Sequence, residues 1–405
     1  MTTALLFPVV FFSTPKGGSI SFYVLVLCSL IGMACGLKPM GKSFLAFLRT
    51  CWPLHLAMSG LVLAVLAHQL WQGDFSSRPF DMPSRLACFS LLFWVLLVPG
   101  KKLKHIQWSL ALGALFCAIT LHIETAGGSE RPLFLFGVPL IPFGNIAMMM
   151  GILALFSIGW NDHREKAAIA FKLLAGGAAL YGSYLSQTRG GWLALPLFVV
   201  IAFAVFQHLS PRRKLALVLL PLVLICSAYF FSDTVQRRVA EAGRDIDQYF
   251  SGQNKNTSVG LRLQLWEGAW VLFKENPMSG IGREQYPAAA QQLMQRQVIT
   301  PDAALQPHSH SDLLFHMVTL GIFGLLAMLS LYLVPAFYFL RDIRHTDRET
   351  RTIAGMGLVL SLGFFVFGLT DVMFYWRVSY TFYAMLLAVL CACLVKRKAL
   401  LASQG

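Results

Sequence analysis

The chain alternates long apolar blocks with short polar stretches. A helix needs about 20 apolar residues to cross the hydrocarbon core of a bilayer, and most of the blocks approach that length. The first block is the shortest, and it lacks the basic flank and the cleavage site of a signal peptide. The pattern predicts an all-α polytopic membrane protein with about twelve transmembrane helices. The twelve segments lie near residues 4–13, 19–37, 53–71, 85–99, 105–123, 142–159, 167–186, 190–207, 214–231, 311–339, 352–372 and 377–395.

The composition supports a membrane protein and excludes other classes. Hydrophobic residues make up 56% of the 405 residues and charged residues only 13%, with a mean hydropathy of +0.62. These values exclude a soluble globular enzyme, a disordered tail protein and a secreted disulfide scaffold. The eight cysteines lie in or at the ends of apolar segments, where a thiol acts as a small apolar residue, and none has the spacing of a zinc or redox site.

The net charge of +14 is concentrated in alternate connections. The even-numbered connections and the C-terminal tail carry eighteen Lys and Arg against five Asp and Glu, whereas the short odd-numbered connections carry six of each sign. In membrane proteins the cytoplasmic loops carry the excess of Lys and Arg. We therefore expect both termini in the cytoplasm and the long connection outside, and the basic charge requires no nucleic-acid partner.

The ninth connection is much longer than the others. A polar stretch of that length predicts a folded domain rather than a linker. Helical spacing occurs at 235–249, 260–274 and 287–297, and the sequences NP at 276–277 and GIG at 280–282 predict a helix end and a turn. The expected organisation is transmembrane helices one to nine at 1–231, a loop domain at 232–310, and helices ten to twelve with the cytoplasmic tail at 311–405.

Polar residues collect at three places on the predicted outer boundary. The first is the turn TRGG at 188–191, where glycines allow a ligand to approach the backbone and Arg189 adds a bidentate donor beside a helix N-terminus. The second is Arg262, which shares a helical face with two tryptophans. The third is the segment PHSHSD at 307–312, which contains His308 and His310 and leads into the tenth segment.

Each place has a structural alternative. Arg189 could extend to lipid headgroups, the tryptophan face of Arg262 could be interfacial packing, and the histidines could be the solvated start of a capped helix. A histidine at a helix N-terminus stays neutral because the positive end of the helix dipole disfavours imidazolium, and a neutral ring can accept a proton. Two arginines and such a histidine together predict an anion site, suited to phosphate, beside a base.

Other chemistries have weaker support. A Ser-His-Asp hydrolase would need the elbow G-x-S-x-G, which the sequence lacks. Asp245 and Asp247 form the D-x-D that sugar-nucleotide glycosyltransferases use to hold a divalent cation, but a lone D-x-D is also typical of a solvated helix face. A transporter would place ionisable groups or broken helices near the bilayer midplane, whereas here the notable Arg and His residues lie at one boundary. A non-catalytic scaffold is the remaining alternative.

Together the motifs resemble the O-antigen ligase and polymerase family of bacterial envelope glycosyltransferases. FGNIA at 143–147 resembles the family's G-x-x-N-x-x-A, and TRGGWLA at 188–194 resembles (T/S)-R-G-x-x-L-A. Arg262 to Trp266, with NP at 276–277 and GIG at 280–282, resembles R-x-x-x-W and N-P-x-x-G-x-G. HSH at 308–310, with Gly321 and Gly324 further on, resembles H-x-H-N-x-x-L followed by G-x-x-G, although Ser311 stands where Asn is usual.

The resemblance implies a GT-C-like enzyme that transfers a glycan from undecaprenyl diphosphate to an acceptor on the periplasmic side of the bacterial inner membrane, with inversion and without a metal or another cofactor. The implied catalytic residues are Arg189 and Arg262, which bind the diphosphate, and His310, or alternatively His308, which activates the acceptor hydroxyl. Further residues expected at the substrate cavity are Arg283, Tyr286, Trp376 and Arg377, the last of which could equally be an ordinary boundary cation.

Three activities compete within that family. A ligase transfers O-antigen to lipid A–core, a polymerase joins repeat units, and an O-oligosaccharyltransferase modifies protein hydroxyls. Protein-directed members usually carry an additional C-terminal region. Polymerases more often have two sizeable outer loops, whereas this sequence has one such loop. We therefore expect an O-antigen ligase whose partners are the carrier-linked O-antigen, lipid A–core and membrane lipids. The alternatives are a polymerase or protein-directed enzyme of the family and, from another class, a polyprenyl-linked lipid transporter or flippase.

Overall fold

The computed structural model describes residues 2–13, 17–98, 103–161, 165–207 and 233–404, together with a few positions between 208 and 232. The predicted ninth segment, 214–231, lies almost wholly outside the described residues. The chain forms two compact units. The first is made of residues 1–63, 76–205 and 327–405, and the second of residues 64–75 and 206–326.

The described elements are almost all helices. In chain order they are α1 (Thr2–Ser13), α2 (Gly17–Ala34), α3 (Phe44–Thr50), α4 (Trp52–Gln72), α5 (Asp81–Ala87), α6 (Phe89–Leu96), α7 (Ile106–Glu124), α8 (Leu140–Phe156), α9 (Lys166–Leu185), α10 (Arg189–Trp192), α11 (Leu195–Val205), α12 (Asp233–Phe250), α13 (Ser258–Glu275), α14 (Tyr286–Gln295), α15 (Pro301–Ala304), α16 (Asp312–Leu340), α17 (Arg348–Thr370) and α18 (Arg377–Ala402). A short antiparallel pair, β1 (Phe134–Leu135) and β2 (Val138–Pro139), leads into α8.

Among the described residues, eight helices are long and apolar enough to cross a membrane. They are α2, α4, α9, α16, α17, α18 and the helices that contain α7 and α8. The prediction of an all-α polytopic membrane protein is therefore confirmed. The predicted first segment is the short helix α1, the fourth is divided into α5 and α6 at Cys88, and the eighth is formed by α10 and α11.

Small residues let α8 and α9 pack closely in the first unit. A Cβ atom on Gly151 would lie 2.2 Å from the Cβ atom of Ala179, and one on Gly176 would lie 2.5 Å from Cγ of Leu155. Lipid tails are as apolar as the side chains, so helices in a membrane associate through such close packing rather than through the hydrophobic effect. As a result α8 is buried along nearly its whole length.

Lys172 is an ionisable residue buried in this helix layer. Its Nζ donates to Gln107 Oε1 at 2.5 Å, to Ser157 O at 2.8 Å and to Asn161 Oδ1, and the side chain is fully buried. Burying a charge is costly unless hydrogen bonds compensate for it, and three oxygens match the three donors of the ammonium group. These contacts give Lys172 a structural role and add no support to the transporter alternative.

Asp347 immediately precedes α17, and its side chain forms hydrogen bonds with α18. Its Oδ2 accepts a hydrogen bond from Thr350 N at 2.9 Å, as expected of a residue that caps a helix. The carboxylate also accepts two hydrogen bonds from Arg397, from Nη2 at 2.7 Å and from Nε at 3.0 Å. The bonds from Arg397, and then those from Thr350, hold the pKa of Asp347 below its ordinary range in spite of partial burial.

We expect Asp347→Asn to lower stability by about 2 kcal/mol at neutral pH. A carboxyl with a depressed pKa stabilises the folded state above its unfolded pKa of about 4, and the contribution is lost as the pH falls through the lower folded value. The wild type should therefore lose more stability on acidification than the variant does. Thermal unfolding in detergent at a series of pH values measures this, with Asp74→Asn at an exposed carboxylate as the control. Identical pH dependence in wild type and Asp347→Asn would contradict the prediction.

The second unit contains the long connection. Its helices α12, α13 and α14 lie where the sequence predicts helices, so these three predictions are confirmed. Thr257 Oγ1 accepts a hydrogen bond from Gly260 N at 3.1 Å and caps α13, which ends just before Pro277 because proline cannot continue a helix. Helix α13 packs against α12, α14 and α15 and so forms the centre of this connection.

The D-x-D pair lies on α12. Asp245 Oδ2 accepts a hydrogen bond from Val259 N at 3.3 Å, at the start of α13, and Asp247 is exposed. Asp245 therefore has a structural partner, which favours the solvated-face interpretation over a metal site.

Candidate active site

The TRGG turn follows α9 and is held by buried hydroxyl groups. Ser186 Oγ donates to Ser183 O at 2.8 Å and lies 2.8 Å from Thr188 Oγ1, and all three side chains are buried. Gln187 adopts a left-handed backbone conformation, with φ of 53°. A residue in this conformation commonly ends a helix. The chain therefore leaves α9 at a fixed angle and begins α10 at Arg189.

Gly190 and Gly191 bring the turn into contact with two other helices of the same unit. A Cβ atom on Gly190 would lie 2.1 Å from Oγ1 of Thr370, at the end of α17, and one on Gly191 would lie 2.4 Å from Oδ1 of Asn145 in α8. No side chain fits at either position without displacing its neighbour. These contacts fix the backbone at Arg189, whose side chain lies outside the described part of the structure.

Asn145 is a candidate site residue that the sequence analysis did not assign. The residue is 1% exposed, and its Nδ2 donates to Met373 Sδ, a weak acceptor, at 3.5 Å. Among the described residues, its Oδ1 has no hydrogen-bond partner. An unsatisfied buried oxygen costs about 1–3 kcal/mol. The signals available in the sequence are its place in the motif FGNIA at 143–147 and the rarity of Asn within the apolar segment 142–159.

Trp376 and Arg377 lie at the start of α18 in the first unit. The Trp376 ring packs edge-on against Phe134 of β1, with centroids 6.4 Å apart. Arg377 Nη2 lies 3.2 Å from Asp81 Oδ2 in an ion pair whose side chains are 56% and 47% exposed. An ion pair this exposed contributes little stability. The roles of both residues at a substrate cavity stay predictions.

Arg262 lies one turn into α13 in the second unit. Its Nη1 donates to Ser258 O at 3.1 Å and to Ser258 Oγ at 3.3 Å, and the side chain is half-buried. Trp266 on the same face is also half-buried, whereas Trp270 is 52% exposed. The guanidinium is therefore held towards the N-terminal end of α13. A planar, permanently charged group in such a position can bind phosphate oxygens in a bidentate manner.

His308 and His310 lie just before α16 and have different environments. Their ring centroids are 4.7 Å apart, and His310 N donates to His308 Nδ1 at 3.4 Å. His308 is 4% exposed, whereas His310 is half-buried. His310 has a left-handed backbone with φ of 51°, which is uncommon for a residue with a side chain and is concentrated at functional sites. The geometry therefore makes His310 the more accessible of the two rings.

Helix α16 is interrupted at Gly321, and the turn at 276–282 fills the interruption. Gly321 has φ of 64° and ψ of −153°, outside the helical range. Ile281 N donates to Val318 O at 2.9 Å, and Gly282 N donates to Thr319 O at 2.9 Å. In return, Ile322 N donates to the carbonyl oxygen of residue 277 at 2.8 Å. The N-P-x-x-G-x-G motif therefore supplies the hydrogen bonds that the broken helix lacks.

Arg283 and Tyr286 follow this turn. The Tyr286 side chain is 3% exposed and packs edge-on against Phe315 of α16, with ring centroids 5.4 Å apart. Burial raises the pKa of its hydroxyl. His308 packs against the same Phe315 ring at 6.4 Å, so the structure brings Tyr286 and His308 together on one side chain. Arg283 is half-buried.

The fold and these sites define a polytopic helical membrane protein. Its longest connection is a folded helical region that contains Arg262 and the histidine pair His308 and His310. Residues 174–329 match the O-antigen ligase family model. That range includes the TRGG turn, Arg262, both histidines and Gly321.

Two relatives are similar to this chain in sequence. An uncharacterized protein of Haemophilus influenzae is 28% identical over 291 residues, which are 70% of this chain and 71% of that protein. An O-antigen ligase of Escherichia coli is 30% identical over 209 residues, which are 51% of this chain and 47% of that protein. The resemblance inferred from the motifs is therefore confirmed by the match of residues 174–329 to the O-antigen ligase family model and by the similarity to the Escherichia coli ligase.

Proposed function

We propose that this protein transfers O-antigen from undecaprenyl diphosphate to a sugar hydroxyl of lipid A–core, in lipopolysaccharide biosynthesis. The observation that carries the proposal is the match of residues 174–329 to the O-antigen ligase family, because that range holds all three polar sites predicted from the sequence. The apolar helices suit a donor that is itself a membrane lipid. In this proposal the protein resides in the bacterial inner membrane, with both termini in the cytoplasm and the chemistry on the periplasmic side.

Arg189 and Arg262 would bind the diphosphate of the donor. In the transition state negative charge develops on the leaving diphosphate, and donors fixed in advance stabilise that charge most effectively. The glycine contacts at the TRGG turn and the Ser258 contacts of Arg262 support such fixed positions. Guanidinium groups stay charged at every physiological pH, so the proposal includes activity without a divalent cation.

His310 would act as the general base. The acceptor hydroxyl oxygen attacks the anomeric carbon of the donor, while the bond from that carbon to the diphosphate oxygen breaks and the diphosphate leaves with the electron pair. The hydroxyl proton passes to the imidazole nitrogen. Attack on the side opposite the leaving group inverts the anomeric configuration. The half-buried ring of His310 supports this role, because a base must be both accessible and partly desolvated.

The experiment combines purified protein with glycan-loaded undecaprenyl diphosphate and rough lipopolysaccharide, with and without EDTA. The expected product is glycan joined to lipid A–core, formed at the same rate in EDTA. Longer glycan that stays on the carrier would show a polymerase instead. Movement of carrier-linked lipid across a vesicle membrane without any new glycosidic bond would show a flippase. Ligation that EDTA abolishes would overturn the metal-independent part of the proposal.

The same assay tests the TRGG turn. Gly191→Ala should lower the ligation rate by about 10²-fold, because the new methyl group must either displace the Asn145 side chain or shift the backbone beside Arg189. Gly177→Ala in α9 is the matched control, since a Cβ atom there meets nothing within 4 Å. Unchanged activity in Gly191→Ala would show that the position of this turn has no role in transfer.

A further inference from the structure

His68, in the last turn of α4, contacts the turn that fills the broken helix. Its Nδ1 lies 2.7 Å from the carbonyl oxygen of Ser279, and both residues belong to the second unit. A carbonyl oxygen only accepts hydrogen bonds, so Nδ1 carries the hydrogen. In a neutral imidazole the lone pair is then on Nε2. A single backbone contact therefore fixes both the orientation and the tautomer of this ring.

The opposite nitrogen of His68 lies beside Gly282. A Cβ atom on Gly282 would lie 3.0 Å from Nε2, so the glycine leaves space where any other residue would crowd the ring. The φ of Gly282 is 80°, which also favours glycine. No described residue forms a hydrogen bond with Nε2, and the ring is half-buried rather than sealed in the interior. The arrangement presents a hydrogen-bond acceptor of fixed direction at the N-P-x-x-G-x-G turn.

We propose that His68 is a substrate-contacting residue whose Nε2 accepts a hydrogen bond from a sugar hydroxyl. The proposal rests on the proposed function, which supplies two sources of sugar hydroxyls, the donor glycan and the acceptor core. A diphosphate is a poor partner for this nitrogen, because an ionised phosphate offers acceptors and no donor. Hydroxyl recognition by a preset acceptor is an effective way to select a sugar, since a ligand without the hydroxyl leaves the acceptor unpaired.

The test separates the contact with substrate from the contact with Ser279. In His68→Asn the side-chain amide nitrogen occupies the position of Nδ1 and can donate to Ser279 O, whereas the Nε2 atom is absent. The KM for the donor and the KM for the acceptor are measured separately, together with kcat and thermal unfolding in detergent. His122→Asn is the control, because the His122 ring contacts Tyr181 in the first unit and has no proposed role.

We expect His68→Asn to unfold at the wild-type temperature and to raise one of the two KM values by about five- to ten-fold, the effect of one lost hydrogen bond. The KM that rises identifies the substrate whose hydroxyl is bound. Wild-type KM values for both substrates would overturn the proposal. His68 would then have only a structural role, as the residue whose hydrogen bond joins α4 to the turn. Failure of the proposed function is a different result, since the wild-type protein would then transfer no glycan.

A second measurement needs no variant. Diethyl pyrocarbonate modifies accessible neutral imidazole nitrogens, and mass spectrometry of the wild-type protein locates the modified histidines. His68 should be modified in the free protein and protected by the substrate identified from the KM values. The proposal would be overturned if His68 stayed unmodified in the free protein, or if it were modified to the same extent with and without both substrates.

Discussion

His310→Asn should lower the rate of glycan transfer by about 10²- to 10⁴-fold, the usual contribution of a general base. Asparagine is the informative replacement because it tolerates the left-handed backbone that His310 adopts, so the chain can keep its conformation while the base is removed. The KM for the donor should change little, since the imidazole acts on the acceptor hydroxyl. Ligation by purified protein measures both quantities, and thermal unfolding in detergent shows whether the variant is folded.

Two further histidine variants sharpen this test. His308→Asn should reduce the rate less than His310→Asn does, because His308 is buried and contacts Phe315, and its Nδ1 accepts from the His310 backbone. His122→Asn should leave the rate unchanged. If His308→Asn abolished transfer and His310→Asn did not, the base would be His308. Full activity in both variants would remove the histidine pair from the mechanism.

Arg262→Ala and Arg189→Ala should each lower the transfer rate by about 10²- to 10³-fold, the effect of removing one donor that stabilises transition-state charge. Lysine replacements should recover only part of the rate, because an ammonium group carries the charge but cannot bind two phosphate oxygens in the manner of a guanidinium. The loss should persist at saturating acceptor, since the arginines act on the donor. Ligation rates at varied donor and acceptor concentrations measure this.

The double variant tests whether both arginines act on the same donor group. Groups that act as a unit have non-additive effects, so Arg189→Ala with Arg262→Ala should cost little more than the worse single variant. The control is Arg296→Ala, which breaks a half-exposed ion pair with Glu275 in which the two atoms are 2.8 Å apart. Its rate should stay close to that of the wild type. Losses that multiply in the double variant would show that the arginines act independently.

Local patterns in the sequence were sufficient to predict most of the helices. The three helices of the long connection lie within a few residues of their predicted positions because each has its own apolar spacing and its own end signal, such as the proline after α13. The family resemblance also followed from local motifs, and residues 174–329 confirm it. The division of the predicted fourth segment at Cys88 was not predicted, because a continuous apolar run fits one helix as well as two.

The candidate sites were only partly predictable. Arg262, His308 and His310 stood out because charged and titratable residues are rare in this chain. His68 did not, since a lone histidine near a helix end has many ordinary explanations, and Asn145 was noted only as part of the motif FGNIA, without a role of its own. Their significance depends on Ser279 and Gly191, which are far from them in the chain.

The sequence by itself determined which segments are helical, which are long and apolar enough to span a membrane, and which family the central region resembles. These properties depend on the order of apolar and polar residues within single segments of the chain, which are about 20 residues long for a helix that spans a membrane. The tertiary structure alone decided that α16 breaks at Gly321, that the turn at 276–282 fills the break, and that His310 takes a left-handed backbone. A glycine inside a helix costs only about 1 kcal/mol. Whether it marks an interruption therefore depends on what distant part of the chain can replace the lost hydrogen bonds.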